Sequence, residues 1–228
     1  MTLGAEVDKS HSHRSYHEAP ASRAGWRVLL ESPNTLEAGD IVHIQKSGIV
    51  ARIVRWVTRA VGEEETWASH TAMVLDASST VLIIEALSPR VAIRPLAVYT
   101  HSDARVVISR FPGGLSQREK VCLVAKAREY HSRRYGYFKV IAHALDRLIN
   151  NRYFFRRLAH DSNYPICSWL VAFAYDRSLG IEFGGPPNAA QPDDILDYCV
   201  STQWPRVWAD SPLTVWQYRT IYDLTTTP

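Results

Sequence analysis

The 228-residue chain is long enough to form one large domain or two small ones. Hydrophobic residues make up 46% of it, and 7 Trp, 11 Tyr and 6 Phe exclude disorder along the whole length. Apolar runs last only a few residues, so no membrane-spanning segment is expected. A net charge of +3 does not by itself indicate a nucleic-acid-binding protein.

Cysteine usage indicates a reducing compartment. Cys122, Cys167 and Cys199 are too few for a disulfide framework and show no C-x-x-C spacing. No apolar segment follows a basic start at the N-terminus, so we predict a cytoplasmic protein, with signal-independent export left open.

The ends of the chain differ in character. We expect residues 1–24 to form a polar, disordered tail, because His11, His13 and His17 come without a fixed cluster of metal ligands. Residues 25–228 lack internal repeats and low-complexity linkers, so they are predicted to form a single domain. The aromatic-rich segment after residue 203 belongs to that domain as core or groove lining.

Strands are predicted in the first half of the chain. A Gly39-Asp40 turn leads into a strand over 41–44, and residues 48–60 have the spacing of an amphipathic helix with a basic face. Apolar, β-branched runs then predict strands at 70–75, 80–86 and 104–109, with a further short strand around 91–96. The short polar stretch between the first two runs predicts an antiparallel hairpin.

Helices dominate the second half. Ser116 and Glu119 form a potential capping box for a helix ending near 131, and further helices are expected over 138–149, 167–175 and 193–200. Strands gathered mid-chain, with helices segregated on either side, indicate an α+β fold with an antiparallel sheet.

Cys167 is the candidate nucleophile. Pro165 ends the preceding segment and an apolar helix follows, so Cys167 should lie in or beside the first helical turn. There the unpaired N–H groups and the helix dipole favour a thiolate and can also hold an oxyanion. A small buried hydrophobe is the alternative interpretation, and the local sequence leaves both open. Cys122, inside a helix, and Cys199, near a helix end, are interpreted as structural.

His70 and Glu85 are the candidate partners of that thiol. His70 begins one strand of the predicted hairpin and Glu85 ends the other, so they should be close cross-strand neighbours. A glutamate after four buried apolar residues needs a partner, and a histidine oriented by a carboxylate can act as a general base.

Four short motifs follow one another along the chain: Gly39-Asp40-Ile41-Val42, Ser69-His70-Thr71-Ala72-Met73-Val74, Ile84-Glu85-Ala86 and Ile166-Cys167-Ser168-Trp169-Leu170-Val171. Their order resembles that of the circularly permuted papain-like hydrolases, the YiiX-like relatives of the NlpC-type cell-wall peptidases, in which the histidine strand precedes the cysteine helix. The resemblance spans about residues 36–200, with looser support from Tyr135-Gly136-Tyr137-Phe138 and Gln191-Pro192-Asp193-Asp194-Ile195.

The resemblance implies a sheet or half-barrel packed against helices, with Cys167 as nucleophile, His70 as base and Glu85 as the orienting group. It implies a cysteine hydrolase that cleaves an amide bond through a thioester, without metal or organic cofactor. Expected substrates are peptides, peptidoglycan fragments or lipid-like molecules. The more distant lecithin:retinol acyltransferase branch usually has a second histidine where this chain has Glu85. A lipid acyltransferase or thioesterase, and a binding module with a vestigial triad, remain the alternatives.

Other candidate residues have simpler explanations. His43 shares a strand face with Ile41, which favours core packing, and His101 lies in a loop without a carboxylate-capped strand beside it. Arginines interleaved with aromatics over 147–157 could bind phosphate, an anionic surface or nucleic acid. A solvated helix end is favoured there, so peripheral membrane contact stays open and no nucleic acid is expected. Those residues are Arg147, Arg152, Tyr153, Phe154, Phe155, Arg156 and Arg157.

Overall fold

A computed structural model describes residues 35–48, 66–99, 102–148, 154–158 and 163–209. Its six strands form one sheet in the order β4-β3-β2-β1-β5-β6, and every neighbouring pair is antiparallel. The strands are β1 (Ile41–Gln45), β2 (His70–Asp76), β3 (Leu82–Ala86), β4 (Val91–Pro95), β5 (Arg105–Ser109) and β6 (Arg206–Ala209). The predicted α+β class with an antiparallel sheet is confirmed.

The described helices pack against this sheet or against one another. They are α1 (Gln117–Arg128), α2 (Tyr137–Leu148), α3 (Phe155–Leu158), α4 (Cys167–Leu179) and α5 (Pro192–Ser201), with a 3-10 turn at Leu96–Tyr99. The predicted capping box starts α1, because the Ser116 hydroxyl accepts from the Glu119 N–H while the Glu119 carboxylate accepts from the Ser116 N–H.

The sheet separates two apolar clusters. On one face, Ile41, Met73 and Ile84 pack with Leu170 and Tyr175 of α4, together with residues of α1 and α5. On the other face, the alternate residues of the same strands pack around Leu96 and Tyr99 of the 3-10 turn. This alternation follows from the two-residue period of a strand. Packing against the first of these clusters places α4 over β2, and Cys167 at the start of α4 therefore lies close to the sheet.

Several boundaries differ from expectation for local reasons. Helix α4 continues to Leu179, beyond the predicted end near 175, and stops where Gly180 adopts a left-handed φ of 68°. The aromatic segment after residue 203 begins with Trp204, which is buried as predicted, and then adds the unpredicted edge strand β6 beside β5.

Some predictions fall outside the described residues. These are the tail over 1–24, the start of order near 26, the helix over 48–60, His101, Arg152, and the aromatic residues beyond 209. Within the described parts of the chain, no helix has the length and apolar character needed to cross a membrane.

Candidate active site

Cys167 is the first residue of α4. Ile166 before it has the extended backbone of an N-cap residue (φ −109°, ψ 169°), and the first bond of the helix joins the Leu170 N–H to the Ile166 carbonyl at 3.0 Å. The side chain is largely buried, with 7% of the residue exposed. The structure therefore places Cys167 in the first helical turn, as the sequence predicts.

His70 lies between the thiol and a carboxylate. Its ring lies close enough to the Cys167 thiol for each group to shift the pKa of the other. Its Nε2 lies 2.5 Å from Glu85 Oε2. The β2–β3 register pairs Met73 with Ile84, so its continuation sets Glu85 opposite Ala72 and diagonal to His70 on the same face. The structure thus brings Cys167, His70 and Glu85 together, with Glu85 reaching His70 diagonally rather than from directly opposite.

Glu85 is held by two further donors that sequence reasoning missed. Tyr99 Oη donates to Glu85 Oε2 at 2.5 Å, and Arg94 Nε donates to Glu85 Oε1. Arg94 also donates to the Tyr99 oxygen at 3.2 Å, which closes the cluster. Arg94 lies on β4, next to β3, and its side chain is on the same face of the sheet as that of Glu85. The alternation of side chains along Val91–Pro95 could therefore have predicted that Arg94 faces Glu85. The 3-10 turn that presents Tyr99 left no such signal.

This environment makes the Glu85 carboxylate a stable anion. Burial alone would raise its pKa, but the hydrogen bonds and charge of His70, followed by the Tyr99 and Arg94 bonds, outweigh burial and lower the pKa to about 2. Glu85 is completely buried, so each of its oxygens depends on these donors rather than on water.

The same electrostatics favour an ion pair between thiol and imidazole. Burial opposes charge on Cys167, yet the His70 ring and the backbone N–H groups of Thr71 and Ser168 lower the pKa of the thiol. Burial likewise opposes charge on His70, but Cys167 and Glu85 together raise its pKa. The two shifts run in opposite directions, as a thiolate–imidazolium pair requires.

The start of β2 is fixed from two sides. Asp193, in the first turn of α5, accepts from the Ala68 N–H at 2.6 Å, two residues before His70. The next residue, Ser69, donates its N–H to the Ile44 carbonyl at 2.9 Å and accepts from the Lys46 N–H at 2.9 Å. These bonds hold the backbone that carries the imidazole, so Asp193 is a positioning residue for His70.

Two more side chains lie near the thiol. Burial raises the pKa of Tyr135, and the charge of Cys167 adds to that effect. Burial lowers the pKa of Lys46, while the nearby negative charges of Glu85 and Cys167 act against that shift. Tyr135 belongs to the Tyr135-Gly136-Tyr137-Phe138 motif of the sequence resemblance, whereas Lys46 carried no sequence signal.

The segment carrying Tyr135 passes very close to the segment before Cys167. The Gly136 N–H donates to the Pro165 carbonyl at 2.9 Å. A Cβ at Gly136 would lie 2.3 Å from the Tyr164 carbonyl oxygen, so only glycine fits there without a backbone shift. The start of α2 and the start of α4 are therefore locked side by side.

The competing candidates occupy other positions. His43 is completely buried, and its Nε2 lies 3.1 Å from Ser109 Oγ. Burial lowers its pKa to about 3, so it is a neutral core residue. Cys199 is buried, and burial raises the pKa of its thiol well above the usual value, whereas Cys122 is exposed on α1. Within the described residues, no group of three His, Cys, Asp or Glu is arranged to hold a metal ion.

The arginine-rich region is only partly described. Arg147 lies in α2 and Arg156 in α3, but the positions of their side chains are not described, and Arg152 and Tyr153 lie outside the described residues. Arg157 and Phe154 are exposed.

Comparisons with known proteins leave the family open. No protein-family model and no curated protein matches the chain. Among the solved structures that match is one described as the crystal structure of the metalloprotein yiiX from Escherichia coli O157:H7. It is 19% identical, the match covers 66% of this chain and 71% of that one, and the TM-score is 0.47.

Proposed function

We propose that this protein is a cysteine-dependent hydrolase of the circularly permuted papain-like type, acting on an amide bond through a thioester intermediate. The observation that carries the proposal is that Cys167, at the start of a helix, interacts with His70, whose ring in turn lies 2.5 Å from the Glu85 carboxylate. This one interaction lowers the pKa of the Cys167 thiol and raises that of the His70 imidazole, which supports the proposal.

In the first half-reaction the Cys167 thiolate attacks the carbonyl carbon, forming a C–S bond and pushing an electron pair onto the oxygen. N–H groups of the first turn of α4, which have no acceptor within the helix, stabilise that oxyanion. The His70 imidazolium gives its proton to the leaving nitrogen as the C–N bond breaks. Glu85, held by Arg94 and Tyr99, keeps the ring oriented throughout.

In the second half-reaction His70, now neutral, takes a proton from water. The resulting hydroxide attacks the thioester carbonyl, the C–S bond breaks, and the thiolate returns with a carboxylic acid as product. An alcohol or amine in place of water would make the protein an acyltransferase by the same steps.

A lipid-like acyl donor is the second candidate substrate. The observation that favours it is the set of exposed apolar side chains on α2, such as Phe138 and Ile141, close to the start of the cysteine helix.

The direct test is to trap the acyl-enzyme. The full chain is mixed with activated esters of short peptides and of fatty acids, quenched in acid, and analysed by intact mass and peptide mapping. We expect one acyl group on Cys167, absent from Cys167→Ala and greatly reduced in His70→Ala. An unmodified Cys167 with every ester, in a protein that remains folded, would favour a binding module with a vestigial triad instead.

A further inference from the structure

Among the described residues, the exposed apolar side chains are concentrated in one part of the chain. Of the nine large hydrophobic side chains exposed there, seven lie between residues 137 and 164, and six of these belong to two segments that contact each other. We call the part formed by the two helices the α2–α3 surface. It consists of Tyr137, Phe138, Ile141, Leu145, Phe154 and Leu158.

Helix α2 has its polarity reversed relative to an ordinary surface helix. Phe138 is 82% exposed and Ile141 54% exposed, whereas Lys139 and Asp146 are buried. A helix facing water normally buries its apolar stripe and exposes its charges. In α2, Lys139 and Asp146 instead point into the protein, and the apolar stripe is exposed on the outside.

Lys139 and Asp146 connect the α2–α3 surface to the rest of the protein and its two helices to each other. Lys139 Nζ lies 3.9 Å from the centroid of the Trp169 ring on α4. Asp146 Oδ1 accepts from the Phe154 and Phe155 N–H groups at 2.9 and 2.7 Å, which ties α3 to the end of α2. The two helices therefore hold their apolar side chains outward as one unit.

Exposed arginines lie next to this surface in a positively charged stretch of the sequence. Residues 131–165 contain seven Lys or Arg and two Asp or Glu, a net charge of +5 in a chain whose total is +3. Arg133 and Arg134, directly before α2, and Arg157 on α3 are all exposed. An exposed apolar stripe with arginines beside it is complementary to a binding partner that has an apolar interior beneath a negatively charged surface layer.

We propose that the α2–α3 surface binds the face of a lipid bilayer that contains anionic lipids, with Phe138 and Ile141 entering the acyl boundary and the arginines contacting the phosphates. A second copy of this chain fits less well, because a two-fold contact of the surface with itself would bring the arginines of both copies together. Docking would set Cys167 beside the bilayer, since Gly136 at the start of α2 is bonded to Pro165 just ahead of Cys167. The proposal does not depend on the reactivity of that cysteine.

The test is flotation of the full chain with vesicles of phosphatidylcholine alone or mixed with phosphatidylglycerol. We expect binding to the mixed vesicles only, weakened by added salt. Phe138→Ser with Ile141→Ser should reduce the partition coefficient about a hundredfold, and Arg133→Gln with Arg134→Gln about thirtyfold. Val121→Ser and Arg118→Gln, which alter exposed residues of the same types on α1, should leave binding unchanged.

The remaining outcomes would overturn the proposal. The absence of binding to either vesicle rejects membrane contact, and a change of mass in solution on Phe138→Ser with Ile141→Ser would then assign the surface to self-association. Vesicle binding that these variants leave intact would place the membrane contact elsewhere in the chain. Cys167→Ala should bind vesicles like the unmodified protein, which separates this test from that of the proposed chemistry.

Discussion

The Glu85 carboxylate is the residue on which the charges of the site depend. It accepts from His70, Tyr99 and Arg94 while completely buried, so its negative charge acts on the imidazole with little screening by water. Because a buried carboxylate with fewer donors would take up a proton, Arg94 and Tyr99 keep Glu85 ionised and thereby keep His70 basic.

Replacing Glu85 by Gln removes that charge and keeps the size of the side chain. The pKa of His70 should fall and that of Cys167 should rise, which lowers the thiolate fraction near neutral pH. We expect the apparent pKa for alkylation of Cys167 to rise by about one unit, so that alkylation at pH values below that pKa slows by about tenfold. Alkylation quenched at successive times and analysed by peptide mapping measures the rate at Cys167. A rate equal to that of the unmodified protein would show that Glu85 does not act on the pair.

His43 should make the stability of the protein sensitive to acid. In the folded state burial keeps the ring neutral down to about pH 3, whereas the unfolded chain protonates its histidines near pH 6.5. The unfolded state therefore gains a proton as the pH falls through this window. The contribution to stability is complete above about pH 6.5 and decreases by about 1.4 kcal/mol for each pH unit below it.

Urea unfolding of His43→Gln between pH 4 and pH 7 tests this. The free energy of unfolding should depend less steeply on pH than in the unmodified protein. His131→Gln, at an exposed position, is the matched control and should retain the original slope. Equal slopes for His43→Gln and the unmodified protein would contradict a neutral, buried His43.

At the scale of the elements, the site depends on three close junctions. Helix α4 lies on β2, Asp193 of α5 holds the residues before His70, and the start of α2 is bonded to the segment before Cys167. The proposed nucleophile lies on α4 and the proposed base on β2, and both are positioned by contacts with α5 and with the start of α2.

Gly136→Ala tests the junction between α2 and α4. The added Cβ meets the Tyr164 carbonyl oxygen, so the backbone ahead of Cys167 must move, at a cost of about 1–3 kcal/mol in the free energy of unfolding. We also expect slower alkylation of Cys167. Gly113→Ala, at a positive φ of 79° with open space around it, is the control and should lose stability without affecting Cys167. Unchanged reactivity in Gly136→Ala would mean that this junction does not position the thiol.

Most of the helices and strands could be predicted from the sequence, and so could the three residues that the structure brings together, because each had a local signal. Pro165 before an apolar run marked the start of α4, and a glutamate after a buried run marked Glu85. Tyr99 and Lys46 reach the site only through tertiary packing, so no local pattern identified them. Arg94 was indicated only by strand alternation, and Asp193 only by its place in a motif, and neither signal showed what the side chain would contact. The diagonal contact of Glu85 with His70 also depends on a strand register that the hairpin alone did not specify.

At the scale of the whole molecule, the site exists only in the folded chain. His70 and Glu85 come from the sheet, whereas Cys167 comes from a helix that follows the sheet in sequence. In this order the proposed base precedes the proposed nucleophile, as in the permuted arrangement proposed above. Unfolding should therefore separate the thiol from its partners and abolish its special reactivity.

Charge is also distributed unevenly along the sequence. Residues 131–165, which include the α2–α3 surface, carry a net charge of +5, whereas the rest of the chain carries a net charge of −2. The proposed docking of this surface brings that positive segment to the phosphates of an anionic bilayer. A substrate embedded in or released from that bilayer would then meet Cys167 at the edge of the contact.

The most direct test of the central claim is the rate of iodoacetamide alkylation of the folded chain as a function of pH, resolved for each cysteine by mass spectrometry. We predict that Cys167 reacts with an apparent pKa well below the free value of about 8.5. This advantage should disappear in His70→Ala and in urea, while exposed Cys122 serves as the internal reference and buried Cys199 stays slow until unfolding. A Cys167 that follows the pH dependence of Cys122, with or without His70, would contradict the thiolate–imidazolium pair and with it the proposed chemistry.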